Sequence, residues 1–316
     1  MPDRANPPAP RHDAWSPADL RVSKAAAGLR ISVVIPARDE EDTVGDVVAA
    51  VKAAWLDEVP LIDEIVVIDS DSADATANRA RRAGARVYAA AQVRPDLGPA
   101  QGKGEALWKA LHVTVGDILV FLDADLIEWG PHFVPGLLGP LLTEPTTQLV
   151  KALYHRPLLA LDAPELAGVV QPLAGEWAIR RRLFESLWVP VGYGVEIAAL
   201  LDTYRGHGAG AIAQVDLGRR AHRHHRHDTL GPMAVQVMAA ARRRLATSPE
   251  PRADVVRLRQ FDPVAGGFAA RDRRVDVVER PPAVSIDGYA AGLAARVERL
   301  AGLAADLGRH GSRGAS

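Results

Sequence analysis

The chain has 316 residues, 48% hydrophobic and 24% charged, with a net charge of −1. That length suits one large α/β domain, or a core with a smaller appendage, and the near-zero charge supplies no global field toward nucleic acid or an anionic membrane. The absence of cysteine excludes disulfide scaffolds, thiolate metal sites and cysteine nucleophiles. No apolar run reaches membrane-spanning length and no secretory signal pattern opens the chain, so a cytoplasmic protein is expected.

Residues 1–18 are rich in Pro and Ala and read as a disordered leader. Ser16-Pro17 is a helix start, with Ser16 at the N-cap and Pro17 at the first helical position. Ile31 to Pro36 reads as a strand, followed by acidic residues at the N-terminus of a helix reaching about Lys52. Glu64 to Asp69 is a second strand, with a helix through Arg82 behind it. Ala85 to Tyr88 is a third strand. A glycine-bearing loop over 98–104 leads to a helix from Glu105 to about Val115. Ile118 to Leu122 is a short, β-branched apolar run and reads as a buried strand. This alternation predicts a doubly wound, mostly parallel sheet, with ligands outside the carboxyl ends of its strands.

Further on, Gln148 to Tyr154 reads as a strand, and Gly175 to Leu187 as a helix with Arg180, Arg181 and Arg182 on a solvated face. Val195 to about Thr203 reads as a helix and Ala211 to Leu217 as a strand. A helix over 231–245, mixed sequence over 246–286 and an amphipathic helix over 286–307 complete the chain. The expected organisation is a core over 19–228 and a smaller, mainly helical C-terminal part over 229–316. The helix over 286–307 can pack within the chain or against a second copy, as in a homodimer.

Asp123 and Asp125 project to the same side of an extended chain. Two close carboxylates repel unless a cation compensates them, and a hard divalent ion, Mg²⁺ or Mn²⁺, suits oxygen ligands. A solvated turn after a strand is the alternative. Asp69, with Ser70, sits at another strand end, where a carboxylate can accept from a nucleoside; helix capping by Ser70 or Ser72 is the competing explanation. Gly102-Lys103-Gly104 reads as a lysine held where glycines let backbone approach a phosphate, or as an exposed turn. Glu196 is a carboxylate near a helix N-terminus, which the dipole alone explains. The histidines from His222 to His227 do not have zinc-site spacing, although one can complete a site with the Asp pair.

Together, Ile31 to Ala37 with Glu40-Glu41, Val66 to Ser72, Gly102 to Leu107 and Phe121 to Asp125 resemble the GT-A glycosyltransferases. Gln171-Pro-Leu-Ala-Gly-Glu176, Gly192-Tyr-Gly-Val-Glu196 and Arg220-Ala-His-Arg223, with a weaker echo at Arg280-Pro-Pro282, resemble the glucosyl-3-phosphoglycerate synthase family within them. The resemblance implies a GT-A, Rossmann-like α/β core that binds UDP-glucose and Mg²⁺ or Mn²⁺. It implies that Pro36, Ala37, Glu40 and Ser70 hold the uridine, with Asp69 in the same donor region. Lys103 approaches the donor sugar and diphosphate, and Asp123 the ribose or sugar. Asp125 and His222 ligate the metal, and Glu196 faces the glucose. Tyr193 and Arg220, with His224 beside them, lie toward a phosphorylated three-carbon acid acceptor. The implied reaction retains the donor's α configuration, with Glu196 and Lys103 as its catalytic residues.

Two features depart from the family pattern. Arg38-Asp39 stands where the family carries Leu-Asn. Between Arg156-Pro-Leu158 and Gln171, the family has a longer insertion with a Gly-Gly-Arg-Val-Thr-Glu-Leu loop that grips the acceptor phosphate. An anionic acceptor needs charge-assisted donors, and this chain runs straight past that loop. A glucosyltransferase with another acceptor and a non-catalytic nucleotide-sugar-binding chain are therefore the rival readings.

Overall fold

The computed structural model describes residues 9–154, 166, 168–222, 227–246, 254–264 and 267–311. The apolar runs legible in the sequence form its central strands: β1 (Ile31–Ala37), β2 (Glu64–Asp69), β3 (Arg86–Ala89) and β4 (Ile118–Phe121). They are parallel and lie in the order β3-β2-β1-β4. The hydrophobicity of β1, β2 and β4 follows from burial on both faces, whereas β3 is the edge strand and only partly buried. Ile31, Val33, Ile35, Val120 and Leu122 point into one core, with α1 (Pro17–Ala27), α2 (Val44–Lys52) and α5 (Phe133–Thr143). Val34, Val66, Ile68, Leu119 and Phe121 point into the other, with α4 (Lys103–Ala110) and α7 (Val195–His207). The short α3 (Thr76–Arg82) links β2 to β3. The molecule is thus a three-layer α/β/α sandwich.

Beyond β4 the sheet becomes mixed. β5 (Leu126–Glu128) leaves it, and the sheet continues β4-β7-β6-β9 through β6 (Leu149–Leu153), β7 (Trp177–Arg180) and β9 (Ile212–Asp216). β7 is antiparallel to both neighbours. The helix expected over Gly175 to Leu187 is therefore a strand followed by one turn of helix, α6 (Arg181–Phe184). The expected solvated arginine face is also corrected. Arg181 is buried, donating to the carbonyls of Gly116 and Leu111 and to the Thr114 hydroxyl. Its guanidinium thereby caps the end of α4 and the turn after it, a long-range partnership that local spacing cannot reveal.

The stretch expected to be a leader is built into the fold from residue 9 onward. Asp216 donates its N–H to Pro10, His12 stacks on His132 at 4.0 Å between ring centroids, and Trp15 packs on the first core. Residues 1–8 lie outside the described residues. The C-terminal part is not all helix. After β8 (Val189–Pro190), β10 (Ala221–His222) and α8 (His227–Leu245), an antiparallel hairpin joins β11 (Val255–Val264) to β12 (Gly267–Asp276). β13 (Glu279–Arg280) then pairs with β8, and α9 (Tyr289–Gly311) closes the chain. The first turns of α9 pack within the chain: Tyr289 donates to Glu185 at 2.7 Å and Arg296 to the Leu111 carbonyl at 3.1 Å.

Candidate active site

A cleft of about 630 Å³ opens at the carboxyl ends of β1, β2 and β4. Pro36, Ala37, Arg38, Asp39 and Glu40 line it from β1, Ser70 from β2, and Asp123 and Asp125 from β4. Gln101, Gly102 and Lys103 enter from the start of α4, and Tyr193 and Glu196 from the start of α7. Arg220 and the α8 residues Met233, Gln236 and Val237 complete the wall.

The strand-end loops are tied to each other by the acidic residues that the sequence suggested for helix dipoles. Asp39 accepts the Ala73 N–H at 2.8 Å and gives its own to the Ser72 hydroxyl at 2.9 Å. Glu40 N–H goes to Thr76 Oγ1 at 2.7 Å, and Glu41 Oε2 takes the Ala75 N–H at 3.0 Å. Asp39 and Asp71 both hold positive φ, 56° and 60°, which these bonds stabilise. Asp69 differs from its expected place. It does not line the cleft, and its carboxylate accepts from the Ser72 hydroxyl. It supports the loop that presents Ser70.

At the base of the cleft, Lys103 Nζ lies 2.6 Å from Asp123 Oδ1 and 2.8 Å from Glu196 Oε1. Arg220 Nη2 lies 2.6 Å from Asp123 Oδ2. It also lies 2.9 Å from Glu176 Oε1, a charge contact without hydrogen-bond alignment. Tyr154 donates to the other Glu176 oxygen, and the Arg220 guanidinium sits 5.4 Å from its ring centroid. Burial alone would lower the Lys103 ammonium, but Asp123 and Glu196 overcome it and hold the pKa well above the ordinary lysine range. Burial likewise opposes ionisation of Asp123, yet Lys103 and then Arg220 keep it well below the usual carboxylate range. Glu176 goes the other way. Burial, opposed by Arg220 and reinforced by Asp123, pushes it up to about 7. The site is a preorganised row of alternating charge, from Glu196 through Lys103, Asp123 and Arg220 to Glu176.

The glycines around Lys103 serve backbone packing. A Cβ at Gly104 would overlap the Pro190 carbonyl oxygen, and one at Gly102 the Val191 carbonyl oxygen. Gly104 and Glu105 N–H groups bond the Gly192 and Val191 carbonyls at 3.2 and 2.8 Å. This joint fixes Lys103 and Tyr193 relative to each other. Gly175 has an equivalent role, since a Cβ there would overlap the Asp123 carboxylate.

Asp125 is buried at the cleft wall, and both Asp123 oxygens are engaged by cations. β5 pairs with β10, bringing the His222 backbone opposite Leu126, next to Asp125. Carboxylate and imidazole are both donor types that Mg²⁺ or Mn²⁺ accepts. Among the described residues, no three His, Asp or Glu side chains gather to hold a metal ion. His224 lies outside the described residues.

Sequence reasoning assigned no role to Tyr154 or Lys151, and marked Glu176 only as the end of the Gln171–Glu176 motif. Lys151 is buried in mid-strand, with its ammonium 2.7 Å from the Ala174 carbonyl and 5.5 Å from the Trp177 ring centroid. The available signal was a charge inside an apolar stretch, Lys151 within Leu149 to Leu153 and Glu176 before Trp177-Ala-Ile.

A mostly parallel sheet with a carboxylate-lined, cation-bearing cleft at its strand ends defines a nucleotide-sugar transferase of the GT-A class, and the Glycosyl transferase family 2 model matches residues 32–158. More closely, the chain belongs to the glucosyl-3-phosphoglycerate synthase family. It is 42% identical over 294 residues to that enzyme of Mycolicibacterium smegmatis, covering 86% of this chain and 94% of the relative. It is 39% identical over 239 residues to the Petrotoga mobilis enzyme, covering 69% and 74%. The Mycobacterium tuberculosis glucosyl-3-phosphoglycerate synthase in complex with Mn²⁺, UDP-glucose and phosphoglyceric acid superposes with a TM-score of 0.77 at 44% identity, over 86% of this chain and 95% of that one. The same enzyme has been solved with Mg²⁺ and UDP, at a TM-score of 0.77.

Proposed function

We propose that the chain transfers glucose from UDP-glucose to 3-phosphoglycerate in a metal-dependent reaction, giving glucosyl-3-phosphoglycerate. The observation that carries this reading is the Glu196–Lys103–Asp123–Arg220 row at the base of a strand-end cleft, in a chain homologous over nearly its whole length to enzymes of that name. Pro36, Ala37, Glu40 and Ser70 would take the uridine. Lys103 would face the diphosphate, where charge develops as the anomeric C–O bond breaks, and a fixed ammonium there needs no reorganisation. Glu196 would hold Lys103 and face the glucose, with the α configuration retained.

The residues fit a divalent ion at Asp125 and His222. When bound, such an ion supplies Lewis-acid stabilisation of the leaving diphosphate. Few protein ligands would be needed, because Mg²⁺ is commonly held by one or two protein groups together with substrate phosphates. Tyr193 and Arg220 would address the acceptor. Both substrates carry phosphate charge and do not cross an apolar barrier unaided, which supports a cytoplasmic location. Among the described residues, no helix is long and apolar enough to cross a membrane.

The shortened connection after Arg156 favours a second reading, a glucosyltransferase with another acceptor. Incubation with Mg²⁺, UDP-glucose and 3-phosphoglycerate decides between them. The first reading expects a glucosylated phosphoglycerate. UDP release without that product, and product with another member of a small acceptor panel, would support the second.

A further inference from the structure

The Arg280-Pro-Pro282 motif lies outside the cleft but is wired to it. Arg280 Nε and Nη2 donate to the two Glu105 oxygens at 2.7 and 2.8 Å. The same guanidinium reaches back to the loop before α4, donating to the Leu97 carbonyl at 2.8 Å and the Gly98 carbonyl at 2.9 Å. It stacks on Trp108, 5.5 Å from the ring centroid, while Trp108 Nε1 donates to the Pro281 carbonyl at 2.9 Å. Glu105 is 1% exposed, so this is a buried, fork-to-fork ion pair, a geometry that lysine cannot reproduce.

The gripped loop leads directly to Gln101, Gly102 and Lys103 at the cleft. It contains left-handed turns at Arg94 (φ 52°) and Gly98 (φ 74°) and no long ladder of its own. β13 also pairs with β8, Arg280 opposite Val189, and Val278 accepts the Val191 N–H at 3.0 Å. The opposite side of that segment bonds Gly104 and Glu105. Arg280 thus holds the Lys103 loop from outside while its own strand braces the segment against which Lys103 is packed.

We propose that Arg280 is a positioning residue for the sugar-nucleotide donor: by clamping Glu105 and the carbonyls of Leu97 and Gly98, it sets the loop that presents Gln101, Gly102 and Lys103. The inference rests on the donor-site reading given under Proposed function. Charge-assisted hydrogen bonds from one guanidinium to two loop carbonyls translate into about a tenfold change in binding when they are lost.

Arg280→Lys keeps a cation beside Glu105 and gives up the fork to the two carbonyls. Its KM for UDP-glucose, and its Kd for UDP measured by calorimetry with Mn²⁺, are expected to rise about tenfold. The KM for the acceptor should stay within about twofold and thermal unfolding near wild type. Glu105→Gln provides a second variant, with a donor-side effect of the same sign. Unchanged donor KM and UDP affinity in folded Arg280→Lys would overturn the proposal, as would a loss shared equally by both substrates and tracking the folded fraction. A wild-type protein that binds neither UDP nor UDP-glucose would overturn the donor site itself, an outcome distinguishable from wild-type binding that the variant leaves unchanged.

Discussion

Lys103 and Asp123 come from the first residue of α4 and the loop after β4, and their charged atoms meet at 2.6 Å. Asp123 is simultaneously held by Arg220. One carboxylate therefore fixes two cations at the base of the cleft.

Replacing Lys103 with Met should leave Asp123 and Glu196 facing each other without their shared counterion. Removing a preorganised donor from a site of developing charge typically lowers kcat by about 10²–10³-fold. Steady-state kinetics with UDP-glucose checks this, and an unchanged kcat would exclude Lys103 from leaving-group stabilisation.

Asp125→Ala tests the metal assignment by binding alone. In calorimetry, UDP affinity in the presence of Mn²⁺ should fall to the level measured for wild type in chelator. Metal-enhanced UDP binding that survives the substitution would move the ligand role to another residue.

Lys151 tests linkage between burial and pH. Burial, eased by Glu196, lowers its pKa from 10.5 to about 8. The folded state thus releases a proton that the unfolded chain keeps. The stabilising contribution of the neutral amine is fully present above pH 10.5 and is lost as pH falls through about 8. Lys151→Met has no such proton. In urea unfolding, wild type should gain stability relative to the variant between about pH 8 and pH 10. A difference constant over that range would show that the amine keeps its proton on folding.

The legible parts of this molecule are those determined locally. β1, β2 and β4 are predominantly apolar runs whose carboxyl ends lead to Arg38, Asp69 and Asp123, and strand ends are where such folds place ligands. β7 was not legible. Trp177 to Arg180 is too short to establish alternation, and the residues that follow have helical spacing. Its strand character comes from the edges of β4 and β6, both distant in sequence. Arg181 looked solvated for the same reason. Within the site, Lys103 and the Asp pair stand out beside glycines and strand ends. Glu176 does not, because its meaning depends on Tyr154 and Arg220. The glycines flanking Lys103 were legible as a close approach, but the partner is the Pro190 to Gly192 backbone.

The antiparallel course of β7 has an evolutionary corollary. β6 runs toward the cleft and β7 runs away from it, so the whole connection from Tyr154 to Glu176 starts and finishes on the ligand-side rim. Insertions or deletions in that connection enter and leave on the same rim and need not shift β1, β2 or β4. Chain length at that rim can therefore drift while the strands below the cleft keep their register.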